Sequence, residues 1–117
     1  MKSKILILIS IFEDGYLLHL DREEVTYLNW FYGDPTCALI SQDNKWVVMG
    51  GDDWLTIWNQ GVITEIQIKG AFDVRQTDTQ IVHILIDPWH ENTAIWELNI
   101  TTQDLKMVKL MRLSYVQ

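Results

Sequence analysis

Apolar and polar residues alternate in short segments along most of the chain. In residues 62–69, Ile66 and Ile68 share one face of an extended chain, and Gln67 lies on the other. Alternation with a period of two is typical of a β-strand that is buried on one side. Residues 81–86 are apolar at nearly every position, which is typical of a strand with both faces covered. The pattern therefore predicts β-strands, with residues 81–86 in the middle of a sheet.

Clusters of turn-forming residues separate these segments about every 8–12 residues, the spacing of an all-β domain. The clusters combine Gly, Asp, Asn, Pro and Thr and lie at residues 13–15, 33–35, 42–44, 50–53, 59–61 and 77–79. Connections this short make neighbouring strands antiparallel. We expect a single, mainly β domain over residues 1–117. Its predicted architecture is an antiparallel meander of about nine or ten short strands, forming a sandwich or a partly closed barrel.

One segment, residues 22–32, carries signals for a helix as well as for a strand. Asp21 with Glu24 three residues later is typical of a helix start, and Gly33 is typical of a helix end. The same segment is rich in Val, Thr, Tyr, Trp and Phe, which favour strands. A short helix at residues 22–32 is therefore an expectation, with a strand as the alternative.

The amino-terminal segment superficially resembles a secretion signal, with two lysines before an apolar run at residues 5–12. Glu13 and Asp14 follow the run directly, and no small-residue cleavage site is visible. We therefore expect residues 5–12 to form a buried strand and the protein to be cytoplasmic. The lone cysteine, Cys37, is compatible with that compartment.

The charge balance disfavours nucleic acid as a partner. Sixteen acidic and nine basic residues give a formal net charge of −7, whereas phosphate contacts need clustered Lys and Arg. The charge is also uneven, because residues 13–104 carry −12 and the two ends are basic. If the first and last strands pair, the negative field of the molecule is one-sided, which speeds association with a basic protein.

No catalytic motif stands out, so we expect neither an enzyme nor a bound cofactor or metal. Cys37 lies in an apolar strand, where a free cysteine behaves as a small hydrophobic residue. Gly50 and Gly51 precede two aspartates rather than a lysine, which disfavours phosphate binding. The histidines His19 and His83 lie in apolar strands, where packing is the expected role.

Tryptophan is unusually frequent, with six in 117 residues. Trp46, Trp58 and Trp96 are predicted to pack in the core. Two others lie in or beside acidic turns, and an aromatic anchor flanked by carboxylates suits a basic protein partner. The predicted partner-binding residues are Asp52, Asp53, Trp54, Asp87, Trp89 and Glu91.

Two resemblances accompany these patterns. Residues 38–58 (ALISQDNKWVVMGGDDWLTIW) resemble one blade of a WD-type propeller, although the chain is too short for a complete propeller. We take this as support for meandering antiparallel strands.

In size, charge and its acidic turns at residues 52–54 and 87–91, the whole chain resembles the immunity proteins of bacterial toxin–immunity systems, including those of contact-dependent growth inhibition. That resemblance implies a cognate basic toxin, often a nuclease, whose active site or an exosite the protein would cover. The alternative is a β domain that binds a small molecule or a carbohydrate through exposed tryptophans.

Overall fold

The computed structural model describes residues 6–87, 89 and 93–110. This part of the chain is all-β and contains eleven antiparallel strands in three sheets, which confirms the predicted fold class. The strands are β1 (Leu6–Ile11), β2 (Asp14–His19), β3 (Glu24–Trp30), β4 (Cys37–Ile40), β5 (Trp46–Gly50), β6 (Trp54–Asn59), β7 (Val62–Gln67), β8 (Ala71–Asp78), β9 (Ile81–Ile86), β10 (Ala94–Asn99) and β11 (Leu105–Leu110).

Each sheet is a meander whose strands follow one another in chain order. The first sheet contains β1, β2 and β3, the second sheet β4 to β7, and the third sheet β8 to β11. Strand β9 lies between β8 and β10, as its apolar sequence predicts. Its inward residues Val82, Ile84 and Ile86 are buried, whereas His83 and Leu85 on its outward side are half-buried.

The sheets stack as three layers, with the second sheet in the middle. Every residue of β5 is buried because both of its faces are covered. Val47 and Met49 pack with residues of the first sheet, whereas Trp46 and Val48 pack with residues of the third. The sheets do not close into a barrel, so the layered form of the prediction is the one that the structure adopts.

The first strands of the three sheets run next to one another, with β4 in contact with both β1 and β8. Successive blades of a propeller have this relationship, in which each meander begins near a common axis. The blade-like stretch at residues 38–58 corresponds to β4, β5 and β6, three adjacent strands of one meander.

The predicted helix at residues 22–32 is wrong, because Glu24–Trp30 forms strand β3. Its β-branched and aromatic residues pair across to β2, with Val25 opposite Leu18 and Tyr27 opposite Tyr16. The two tyrosine rings contact edge to face, with centroids 5.5 Å apart. Cross-strand contacts of this kind outweigh the local capping signal.

The first and last strands belong to different sheets, so the conditional expectation that they pair is wrong for the described strands. Strand β1 pairs with β2, and β11 pairs with β10. Each strand finds its partner across a short turn, which costs less loop-closure entropy than joining the chain ends.

The prediction for the tryptophans is confirmed: Trp46 and Trp58 are buried, and Trp96 packs against the core.

Candidate protein-binding site

Alternate turns of the meander lie together at one end of the molecule. The backbone N–H of Phe31 donates to the Glu13 carbonyl at 2.9 Å, joining the turns that follow β1 and β3. Gly70 N–H donates to the Asp52 carbonyl, and Asp87 N–H donates to the Gly70 carbonyl, both at 2.7 Å. These bonds join the turns that follow β5, β7 and β9. We call the turns at residues 12–13, 31–36, 51–53, 68–70, 87 and 89 the acidic rim.

The predicted group in the turn after β5 lies on this rim. Asp52 is exposed, and the Asp53 carboxylate lies 3.2 Å from the Lys69 Nζ in an ion pair. Both of these side chains are largely exposed, so the ion pair adds little to folding stability. Trp54 begins β6 and is half-buried, which leaves part of its ring for a partner.

The second predicted group, in the turn after β9, lies on the same rim. The Asp87 Oδ1 accepts a hydrogen bond of 2.9 Å from the backbone N–H of Trp89. This bond is typical of turns that an aspartate initiates. The Trp89 side chain is 82% exposed, the second highest fraction among the exposed large hydrophobic residues. Glu91, together with the neighbouring His90, lies outside the described residues.

Sequence reasoning missed several residues of the rim, and Trp30 beside it. Asp34 is exposed, and the aromatic residues Phe12 and Tyr32 are 87% and 66% exposed. Trp30, at the end of β3, stacks on Tyr32 with ring centroids 4.1 Å apart and donates from its Nε1 to Glu13 at 2.8 Å. Counting turns would have found them, since every second turn of an up-and-down meander reaches the same end.

The rim is negative and also aromatic. Its acidic residues are Glu13, Asp34, Asp52, Asp53 and Asp87. In the described turns of the rim the one basic residue is Lys69, which Asp53 already pairs. Such a surface attracts cationic partners over the Debye length of about 8 Å at physiological salt.

The two adjacent glycines before Asp52 have a packing role. A side chain at Gly51 would place its Cβ 3.1 Å from the Phe31 Cβ, and one at Gly50 would lie 2.8 Å from the Cys37 Sγ. These close approaches allow the turn after β5 to sit against the end of β3. The glycine pair therefore shapes the rim.

Outside the rim, we considered the side chains that could act as nucleophiles or metal ligands. Burial raises the pKa of the Cys37 thiol, which also packs against the core. No group of three or more His, Cys, Asp or Glu side chains that could hold a metal occurs in the residues that the structure describes.

An open groove of about 670 Å³ lies at the opposite end of the molecule. Its floor contains His19, which is buried and accepts a hydrogen bond of 2.7 Å at Nδ1 from the Arg22 guanidinium. Since arginine only donates, the other ring nitrogen carries the proton and donates to the Thr26 Oγ1 at 2.9 Å. Arg22 in turn pairs with Glu24 at 3.7 Å. His19 is thus a hydrogen-bonded core residue, as expected from its apolar strand.

Within the described residues, no helix is long and apolar enough to cross a membrane. No protein-family model matches the sequence. The function must therefore be argued from the surface itself.

Proposed function

We propose that this protein is a binding module for a basic protein and that it engages its partner through the acidic rim. The observation that carries the proposal is the meeting of carboxylates and exposed aromatic rings at one end of the fold. Asp52 and Asp87 come from different sheets, yet one residue, Gly70, is hydrogen-bonded to the backbone of both. Around them Trp89, Phe12 and Tyr32 expose most of their surface.

Aromatic residues and carboxylates contribute differently to such an interface. An aromatic ring buried at the centre of an interface supplies much of the binding energy. Carboxylates raise the association rate by attracting the cationic partner before contact. A rim that combines both is suited to fast and tight binding.

Two of the aromatic residues occupy a backbone conformation that, among the other described non-glycine residues, only polar residues in turns at the opposite end adopt. Phe12 and Tyr32 both adopt a φ of 57°. Bulky residues rarely occupy this left-handed region, and such strain concentrates at functional sites. Both residues lie in turns of the rim and point apolar surface into solvent.

The partner class that fits best is a toxin domain with a cationic groove, such as a nuclease. A groove built for phosphates presents Lys and Arg side chains, and a row of carboxylates can occupy it in place of a nucleic acid. The protein would then act as an immunity-type inhibitor that covers the active site or an exosite and carries out no reaction of its own.

Isothermal titration calorimetry tests the proposal. The probe is the purified C-terminal domain of the protein encoded immediately upstream, titrated with this chain at low and high salt. We expect 1:1 binding that weakens as salt rises. A Trp89→Ala variant should bind at least about tenfold more weakly, as expected for an exposed aromatic anchor.

Val62→Ala, an exposed apolar position on β7, is the control and should bind like the wild type. Absence of heat at both salt concentrations, or equal binding by Trp89→Ala, would contradict the proposal. A panel of glycans run in the same cell tests the carbohydrate alternative, for which salt-insensitive binding with a change in tryptophan fluorescence is expected.

A further inference from the structure

The outward face of the first sheet is apolar, although no other sheet of the described residues lies against it. Its inward residues, including Leu17 and Leu28, pack against the second sheet. The residues that alternate with them along each strand face away from the second sheet and form two cross-strand rows. The rows are Ile7, Leu18 and Val25, and Ile9, Tyr16 and Tyr27. Three of these side chains are strongly exposed: Ile7 by 39%, Val25 by 64% and Tyr27 by 50%.

Two polar side chains of this face donate hydrogen bonds within the first sheet or to its first turn. The Tyr27 hydroxyl donates to the Asp14 Oδ1 at 2.8 Å, and the Trp30 Nε1 donates to Glu13 at 2.8 Å. The hydrogen bond to Asp14 also raises the pKa of Tyr27 to about 12, so the phenol stays protonated. The tyrosine and tryptophan donors therefore keep their partners on burial. The Asp14 carboxylate belongs to the last residue pair of both strand ladders, at the margin of this face.

The outward face of the third sheet, at the other side of the stack, is different. Across its strands run Arg75, His83, Glu97 and Lys106, which are opposite one another in the register. The Glu97 carboxylate lies 3.1 Å from the His83 Nε2 and 3.6 Å from the Lys106 Nζ. This row of charges prefers water, because ions lose hydration on burial.

We propose that the outward face of the first sheet is the interface of a twofold-symmetric homodimer. If copies stacked head to tail, the charged row on the third sheet of one copy would lie against the apolar face of the next copy. The charged side chains would then lose their hydration. Pairing of two first sheets brings apolar surface onto apolar surface, and the isologous contact closes at two copies.

The area on this face is sufficient for such a dimer. The outward side chains of the first sheet, with Ile11 and Trp30, expose on the order of 500–600 Å² per copy, since one exposed aromatic ring alone supplies ~100 Å². A twofold pairing then buries ~1,000–1,200 Å², which reaches the lower bound for a specific interface. This dimer is independent of the proposed binding to a basic protein.

Sedimentation velocity on the full chain tests the dimer. The wild type should sediment with a mass twice 13.8 kDa at micromolar concentration. Val25→Lys should raise the dimer dissociation constant at least about tenfold, because an unpaired charge resists burial. Val62→Lys is the matched control, since Val62 is also a valine on a strand, 64% exposed, but lies in the second sheet. That variant should remain dimeric.

Leu85→Lys, on the outward face of the third sheet, separates the two modes of association. It should leave the dimer intact, and circular dichroism checks that each variant is folded. A wild type that is monomeric at all concentrations overturns the proposal. So does a dimer that survives Val25→Lys, or one that Leu85→Lys dissociates as strongly as Val25→Lys does.

Discussion

Among the described non-glycine residues with positive φ, four polar residues lie in turns at the opposite end of the molecule. The two on the rim, Phe12 and Tyr32, are the aromatic ones. Both adopt a φ of 57° in turns where glycine would fit without strain. Their rings are exposed and are absent from both core clusters, and the contact of the Tyr32 ring with Trp30 is itself at the surface. Packing in the core therefore does not account for these residue types. A role in binding would account for an aromatic side chain at a position that glycine would stabilise.

Phe12→Gly should therefore change folding stability and binding in opposite directions. Removing the left-handed strain should raise the free energy of unfolding by about 1 kcal/mol. Losing the exposed ring should weaken binding to the basic partner. Urea denaturation and calorimetry measure the two effects, and a variant that is less stable and binds normally would contradict this account of Phe12.

Glu97 is the residue whose titration should be visible in folding stability. The His83 hydrogen bond, followed by the charge of Lys106, lowers the pKa of the Glu97 carboxyl below its ordinary value of 4.5. A lowered carboxyl pKa stabilises the folded state above the unfolded pKa, and that contribution disappears as pH falls through the folded value.

The free energy of unfolding of Glu97→Gln should accordingly fall below that of the wild type at neutral pH. The difference should shrink as pH falls below 4.5. Denaturation with urea between pH 3 and 7 measures it. Glu65→Gln, at an exposed site on β7, is the control and should follow the wild type throughout. A constant difference for Glu97→Gln across this range would exclude the linkage.

At the scale of elements, the second sheet is the central layer of the structure. Leu17 on β2 is completely buried and belongs to the cluster that joins the first sheet to the second. The same interface contains a polar contact, in which the Asn29 Nδ2 donates to the buried Thr56 Oγ1 at 3.1 Å. Packing rather than pairing thus attaches the first sheet.

Leu17→Ala should lower the free energy of unfolding by about 2–5 kcal/mol, because it leaves a cavity between two sheets. Leu20→Ala, at a residue that is 46% exposed just after β2, should change it by less than about 0.5 kcal/mol. Chemical denaturation compares the two variants. Equal effects would mean that the first sheet does not pack on the second as described.

The elements themselves could be predicted from the sequence because strand periodicity and turn residues are local signals. The alternation near Ile66 and the apolar run of β9 each predicted a strand, and the structure has one at each place. The helix at residues 22–32 was predicted wrongly because the capping signal lies within that segment. The strand forms through pairing of β3 with β2, a partner that the segment alone does not reveal. The grouping of strands into three sheets depends on side chains that meet across sheets, which no single segment reveals.

Only some residues of the candidate site could be predicted from the sequence. Asp52 and Trp89 were identified by residue type, because acids beside tryptophan in a turn form a local pattern. Their closeness depends on Gly70, whose backbone bonds join the two turns. Phe12 precedes Glu13, and Tyr32 lies two residues before Asp34, so both have a similar local pattern. Their exposure follows from turn geometry, which the sequence does not show directly.

At the scale of the whole molecule, charge and apolar surface are separated in space. The rim at one end is acidic, the outward face of the first sheet is apolar, and the outward face of the third sheet carries mixed charge. A partner that approaches the rim meets carboxylates together with exposed aromatic rings. The turns at the opposite end also carry carboxylates, including Asp43 and Asp104, but they hold Arg22 and Lys45 as well. The central claim is that this rim, rather than net charge alone, determines binding.

Stopped-flow association rates with the C-terminal domain of the protein encoded immediately upstream, the proposed partner, test that claim most directly. One variant combines Asp34→Asn, Asp52→Asn and Asp87→Asn on the rim. Its matched control combines Asp21→Asn, Asp78→Asn and Asp104→Asn and changes net charge equally. Asp21 and Asp104 lie in turns at the opposite end, and Asp78 is the last residue of β8 at that end. We predict that the rim variant associates about tenfold more slowly at low salt and loses most of its salt dependence, while the control stays within about threefold of the wild type. Equal slowing by both variants, or no slowing by either, would contradict the account.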